Sequence, residues 1–288
     1  MQRMCGRRLQ YLWIPLTMTN YKLALITGGS SGIGFALAKA LVSQGSDVFL
    51  LARKRKNLKE AKKELTDLYV RKDQQVHLIS ADVTDYPSLA RILKRWMDRF
   101  GYPDLVINSA GVTYPGYFKE LDIDIFHWLM NVNYFGTLHV SKLLIPSMIV
   151  RGSGTIVNIS SQAGFVSIFG YSGYSASKFA VRALTEAMRA ELKQYGIKVA
   201  IVFPPDTQTP QLEFEEPLKP IETKAISSQS GILTADQVAQ STLKGLEMEK
   251  FVILPGFEGK LFFRLVNLLG NFQYPILDWM VKRAQKKG

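Results

Sequence analysis

From Tyr21 onward, short apolar runs rich in β-branched residues alternate with longer stretches in which apolar positions recur every three or four residues. The runs Lys22–Thr27, Val48–Ala52, Val76–Ala81, Leu105–Asn108, Thr155–Ser160, Lys198–Phe203 and Phe251–Leu254 predict seven strands. Residues 32–44, 57–71, 86–100, about 123–150, 174–195 and 235–248 predict the helices between them; in the first, Ile33, Leu37 and Leu41 share one face. Strand and helix in strict alternation imply βαβ units, right-handed crossovers and a parallel sheet covered on both faces. The expected fold class is therefore α/β, a doubly wound seven-stranded parallel sheet in a single domain.

One segment breaks the rhythm. Residues 204–233 are proline-rich and too long for a passive connection, and they follow the sixth strand at the sheet edge where ligands bind. They read either as a substrate lid or as an ordered structural insertion. The resulting division is an N-terminal extension (1–20), a domain (21–259, with 204–233 as its substrate loop) and a C-terminal amphipathic segment (260–288).

Charge narrows the partners. Among 288 residues, 36 Lys and Arg face 24 Asp and Glu, a formal net charge of +12. Nine of those cations fall in residues 53–72, where they read as a solvated helix face beyond Arg53. With no aromatic-interleaved basic motif, nucleic-acid binding is not expected. Cys5 is the single cysteine, so no intramolecular disulfide forms, and His77, His127 and His139 lack metal-ligand spacing; no metal is expected. The patch Tyr11-Leu12-Trp13-Ile14 after Arg3, Arg7 and Arg8 is far shorter than the ~20 residues of a spanning helix.

The first chemistry lies in Thr27-Gly28-Gly29-Ser30-Ser31-Gly32-Ile33-Gly34, where a strand turns into a helix. Gly28 suits the tight turn, Gly32 lets backbone approach a pyrophosphate, and Gly34 permits close helix–strand packing. The amides of the new helix, with Ser30, Ser31 and Ile33 around them, then hold phosphates. The Gly-x-x-x-Gly-x-Gly spacing resembles that of the short-chain dehydrogenase/reductase family, and further matches follow in order. They are Asp82-Val83, Asn108-Ser109-Ala110-Gly111, Asn133 in Asn-Val-Asn-Tyr-Phe-Gly, Ser160-Ser161, and Tyr174-Ser175-Ala176-Ser177-Lys178.

The resemblance implies a Rossmann-type fold and a nicotinamide cofactor. Asp82 and Val83 would meet its adenine, while Asn108, Ala110, Gly111, Pro204, Thr207 and Thr209 would complete the cofactor site. After the second strand, Ala52 stands where an NAD enzyme carries an acid, and Arg53 and Lys54 follow; a guanidinium grips a 2′-phosphate, which favours NADPH. Tyr174 would be the proton donor, its pKa brought down by Lys178 one helical turn away. Ser161, thirteen residues before Tyr174, would bond the substrate oxygen, with Ser160 as the alternative because strand neighbours face opposite ways. Asn133 would hold a water relaying protons from Lys178.

Loop sequences narrow the resemblance. Pro204-Pro205-Asp206-Thr207-Gln208-Thr209-Pro210, Lys219-Pro220-Ile221-Glu222-Thr223 and Ser160-Ser161-Gln162-Ala163-Gly164 look like 3-ketodihydrosphingosine reductases, which reduce 3-ketosphinganine with NADPH in sphingolipid synthesis. Asn57 departs from a lysine in those enzymes, a charge that Lys54 and Lys56 can replace, and the N-terminal membrane helix of eukaryotic members is not seen here. The alternatives are a reductase of another bulky ketone (steroid, retinoid or 3-ketoacyl) and a non-catalytic NADPH-binding regulator. Residues 260–283 mix Phe, Leu, Trp and Met with Lys and Arg, which suits peripheral contact with the cytoplasmic face of a membrane, a subunit contact or a pocket lid. A cytoplasmic homo-oligomer, dimer or tetramer, is expected.

Overall fold

The computed structural model describes residues 21–227 and 231–286; the expected N-terminal extension, with Cys5 and the apolar patch 11–14, lies outside the described residues. The strands are β1 (Leu23–Thr27), β2 (Asp47–Ala52), β3 (Val76–Ser80), β4 (Leu105–Asn108), β5 (Gly154–Ile159), β6 (Ile197–Val202), β7 (Thr207–Gln208), β8 (Leu233–Thr234) and β9 (Val252–Ile253). The helices are α1 (Gly32–Ser43), α2 (Arg55–Thr66), α3 (Tyr86–Phe100), α4 (Ile123–Met130), α5 (Gly136–Arg151), α6 (Ser172–Leu192), α7 (Pro210–Glu215), α8 (Ile221–Ser227), α9 (Ala235–Glu247), α10 (Phe257–Leu269) and α11 (Gln273–Gln285). Seven strands form one parallel sheet in the order β3-β2-β1-β4-β5-β6-β9, as the alternating pattern predicts.

Strand alternation splits the core in two. Ile26, Val48, Leu50, Ile107, Val157 and Val202 face Leu37 and Leu41 of α1, Leu58 and Leu65 of α2 and Leu243 of α9. Leu25, Phe49, Leu51, Val106 and Ile156 face Leu93 and Met97 of α3, Leu144 and Met148 of α5 and Met188 of α6. Both faces are thus buried, which is why the strands read as near-continuous apolar runs. The strand order reverses between β1 and β4, so their C-terminal ends diverge and open a crevice there.

Two expected elements gain detail. The helix expected over about 123–150 is two helices, α4 and α5, joined by a π-helical turn at Asn131–Phe135. A π-turn keeps the same apolar face inward while adding one residue, so periodicity does not reveal it. The described residues of 204–233 form an insertion of α7, a 3₁₀ turn and α8, with β7 and β8 paired in parallel. Thr209 starts α7 by accepting from the Leu212 amide at 3.3 Å.

The C-terminal segment packs back onto the domain. Phe262, Phe263 and Val266 of α10 meet Phe165 and Phe203, and Gln285 of α11 donates to Glu222 of α8 at 3.1 Å. Its opposite side presents Leu261, Leu265 and Leu268 outward, the last 85% exposed. Of the apolar residues in the expected amphipathic segment, Phe262 and Phe263 thus belong to the inner face. Among the described residues, no helix is long and apolar enough to cross a membrane.

Candidate active site

Local backbone chemistry builds the phosphate end. Gly28 (φ 64°) and Gly32 (φ 55°) occupy the left-handed region that favours glycine. A Cβ on Gly34 would stand 2.5 Å from the Gly28 carbonyl oxygen, so the third glycine is what seats α1 against the turn. Ser31 precedes α1 in extended backbone with no side-chain cap bond, and no acidic residue occupies the first turn. The first amides of α1 therefore point into the crevice unopposed by negative charge, a fit for a dinucleotide's phosphates. Ser31, Gly32, Ile33 and Gly34 line a cavity of about 760 Å³; the expected Ser30 is half-buried beside it, off its wall.

From there the cavity runs past Ser109 and Gly111 of the β4 turn to Ser161, Tyr174 and Lys178, and on to Pro204, Thr207 and Thr209. The Thr27 hydroxyl accepts both the Ser109 and Ala110 amides at 3.0 Å, which pins the β4 turn to the β1 turn. Asn108 departs from expectation. Its amide donates to Asn158 Oδ1 at 2.8 Å and Ser141 Oγ at 3.1 Å, so its side chain serves the sheet interior rather than the cavity wall. Arg53 and Lys54 are exposed at the end of β2, and Asp82 and Val83 follow β3 beside them, along the same sheet edge but beyond the cavity wall. Asp82 Oδ1 is engaged by the Thr84 amide and hydroxyl, at 2.9 and 2.8 Å.

Tyr174 and Lys178 share a face of α6, with the Lys178 Nζ 5.7 Å from the ring centre. Lys178 is buried, donates to the Ile159 carbonyl at 3.1 Å, and is pushed down by burial to a pKa of about 8. The depression expected for the Tyr174 phenol is outweighed: burial raises its pKa first and the Glu215 charge second, while the Ser161 hydroxyl pulls the other way. The phenol is thereby held protonated, the form a proton donor requires. The two serines meet different neighbours. Ser160 is buried with its hydroxyl donating to the Lys178 carbonyl at 3.1 Å, whereas Ser161 accepts from the Ala163 amide at 3.2 Å and has its hydroxyl beside the Tyr174 phenol.

Asn133 sits in the π-turn, 1% exposed, behind this group. Its Oδ1 accepts from the Val112 amide at 2.8 Å, and its Nδ2 donates to the Val112 carbonyl at 3.0 Å and Ser177 Oγ at 2.8 Å. Both amide protons are committed, so the side chain clamps the β4 loop to α6; a water there has only the second lone pair of Oδ1 to meet.

Sequence reading missed the far end of the cavity, where Asp206, Gln211 and Glu215 join Tyr171 on the wall. The Tyr171 hydroxyl donates to Glu215 Oε1 at 3.0 Å, and Lys219 lies 3.7 Å from both Glu215 and Asp206. The one available signal is Tyr171 standing three residues before Tyr174, at the residue that precedes α6. Among the described residues, no group of His, Cys, Asp and Glu has the arrangement to hold a metal.

Comparison with known proteins places the chain in a family. Residues 22–217 match the family model described as short chain dehydrogenase. The 3-dehydrosphinganine reductase of Danio rerio is 39% identical over 236 residues, covering 82% of this chain and 71% of that one. The 3-ketodihydrosphingosine reductase of Dictyostelium discoideum is 34% identical over 280 residues, covering 90% and 83%. Among solved structures, a short-chain dehydrogenase from Sphingobium yanoikuyae in complex with NADPH superposes with a TM-score of 0.73 at 26% identity, covering 89% of this chain and 96% of that one. One from Burkholderia phymatum in complex with NAD gives 0.77 at 26% identity, covering 90% and 97%.

Proposed function

The chain belongs to the short-chain dehydrogenase/reductase family and is an oxidoreductase of that family, similar to sphingoid-base reductases, and we propose that it reduces 3-ketosphinganine to sphinganine with NADPH. The observation that carries this reading is the convergence of Ser161, Tyr174 and Lys178 on one cavity that continues from the glycine-rich turn into apolar walls at Val166, Ile168, Phe262, Leu277 and Met280. When bound, NADPH supplies the hydride that reaches the carbonyl carbon. Ser161 holds the carbonyl oxygen by donating a hydrogen bond, and Tyr174 passes its proton to that oxygen as charge develops there. Lys178 keeps a positive charge behind the phenol and stabilises the phenolate left after transfer. The apolar walls exclude water and accept the alkyl chain.

NADPH rather than NADH is favoured by the side chains after β2. Ala52 offers no carboxylate for a ribose hydroxyl, and Arg53 and Lys54 offer cations for a 2′-phosphate. A long-chain ketone partitions into bilayers, so the enzyme collects it at a membrane surface. Leu261, Leu265, Leu268 and Trp279 form an outward apolar face on α10 and α11, with Lys260, Arg264, Lys282 and Arg283 on the same segment. This composition supports peripheral contact with an anionic cytoplasmic leaflet.

The test is NADPH oxidation by the purified protein against a panel of 3-ketosphinganine, a 3-ketoacyl ester, a ketosteroid and a retinal. Turnover concentrated on 3-ketosphinganine is expected. Preference for another member of the panel refutes the substrate, and no turnover with any refutes the catalytic reading.

A further inference from the structure

We propose that Glu215, with Asp206 beside it, receives the ammonium group of a 2-amino-3-ketone and so sets the enzyme's preference for amino ketones over neutral or anionic ones. The inference rests on the reductase reading above and assigns residues to the far end of the same site.

The charges on the cavity wall are lopsided. Its Asp, Glu, Lys and Arg residues are Lys178, Asp206, Glu215 and Glu258. Lys178 is committed to the Ile159 carbonyl behind Tyr174, and Glu258 accepts from the Gly231 amide at 2.9 Å near the mouth. Among the described residues, the inner end therefore presents two carboxylates and no cation on its wall. Lys219, with a side chain 2% exposed, stands behind them, 2.7 Å from Glu216 and 3.7 Å from both Glu215 and Asp206. One ammonium shared by three carboxylates leaves two formal negative charges. Glu215 is 6% exposed, and burial raises the pKa of both its carboxyl and that of Asp206. Such a group is costly to keep out of water unless a cation completes it.

The Thr113 hydroxyl, 1% exposed, and the Tyr171 hydroxyl are donors beside Glu215, and both are neutral, so they leave its charge in place. The site also has the right relation to the reacting group. Tyr171 bridges the two, its hydroxyl on Glu215 and its ring centre 5.6 Å from that of Tyr174. An ammonium on the carbon next to the ketone lies one bond further from Tyr174 than the carbonyl carbon, on the side this bridge spans. Of all charges, that of Glu215 acts most strongly on the Tyr174 phenol, and it raises the phenol's pKa. Binding of an ammonium between them offsets that field, so the phenol gives up its proton more readily in the substrate complex than before.

The same electrostatics reject rivals. A 3-ketoacyl substrate carrying a carboxylate or phosphate would meet like charge, and a steroid or retinoid would bury the carboxylates without compensating them.

The test compares kcat/KM for 3-ketosphinganine with that for its 2-deamino analogue, which keeps the chain, hydroxyl and ketone but carries no charge. Wild type is expected to favour the amino ketone by about 10- to 100-fold, the range of a charge-assisted contact. Glu215→Gln is expected to cut that ratio about tenfold or more, Glu215→Asp to restore part of it, and Asp206→Asn to cut it a few-fold, with NADPH affinity monitored by fluorescence titration as the folding control. Equal losses on both ketones, leaving the ratio unchanged, would overturn the assignment and make Glu215 a structural tie between α7 and Tyr171. If Glu215→Gln no longer binds NADPH, Asp206→Asn carries the test, and an unchanged ratio there overturns it. A wild-type ratio near one also overturns it. Turnover of neither ketone by wild type falls instead on the reductase reading itself.

Discussion

Gly34→Ala probes the joint on which cofactor binding depends. The added methyl would stand 2.5 Å from the Gly28 carbonyl oxygen, 2.9 Å from its carbon and 3.2 Å from Ser109 Oγ. Both closest atoms are backbone, so no rotamer change relieves the contact and α1 must move off the β1 turn by roughly 0.5 Å or more to reach even a tight separation. Overpacking of this kind costs about 3 kcal/mol, the upper end of its usual range. For a chain of this size that lowers Tm by about 6–12 °C. The helix amides move with α1, so the phosphates lose charge-assisted hydrogen bonds and NADPH affinity falls by about 10- to 100-fold. Gly32→Ala is the internal comparison. It pays about 1–2 kcal/mol for a non-glycine residue at φ 55°, and its methyl meets only the Thr209 side chain, at 3.1 Å. Thermal unfolding and cofactor titration of both variants decide the matter. A Gly34→Ala protein that melts within about 1 °C of wild type, or above Gly32→Ala, would refute the packing argument.

Three further outcomes follow from other parts of the molecule. Arg53→Asp should raise the Kd for NADPH by about 100-fold while changing that for NADH only a few-fold, because a repulsive charge replaces an attractive one at the 2′-phosphate; equal losses would show that Arg53 does not read it. Ser161→Ala should lower kcat/KM by about 10²-fold, the loss of one donor to a developing oxyanion, whereas Ser160→Ala should mainly cost about 1 kcal/mol of stability by freeing the Lys178 carbonyl; steady-state kinetics and urea denaturation of the pair separate the roles, and reversed effects would exchange them. In flotation with anionic vesicles, the protein should co-migrate at low salt and less so as salt rises, and Leu265→Glu with Leu268→Glu should weaken the binding; full-length protein left in the soluble fraction at low salt would refute the interfacial face.

The parallel sheet was legible because its strands are buried on both faces, so each stands out as an apolar run such as Leu23–Thr27 or Ile197–Val202, and glycine and serine punctuate the turns. The mononucleotide turn and the Tyr174–Lys178 pair were legible because their chemistry depends on spacing along one element. What escaped depends on contacts between elements. The π-turn at Asn131–Phe135 leaves the apolar pattern intact. Asn108 occupies a strand position whose direction is set by Ser141 and Asn158, 33 and 50 residues away. Glu215 lies on a six-residue helix, too short for a periodicity to separate its inward carboxylate from that of exposed Glu213. The C-terminal segment has apolar residues on two faces, and composition alone does not tell Phe263, packed on Phe203, from outward Leu268.

In the reaction proposed above, Tyr174 protonates a ketone held by Ser161 in this cavity. Kinetics of Tyr174→Phe with NADPH and 3-ketosphinganine test it most directly, because the substitution removes the hydroxyl and leaves the ring packed against Tyr171. We expect kcat to fall by about 10²–10⁴-fold, the usual contribution of general acid catalysis, with the NADPH dissociation constant changed by less than about three-fold. A Tyr174→Phe enzyme turning over within about two-fold of wild type would contradict it.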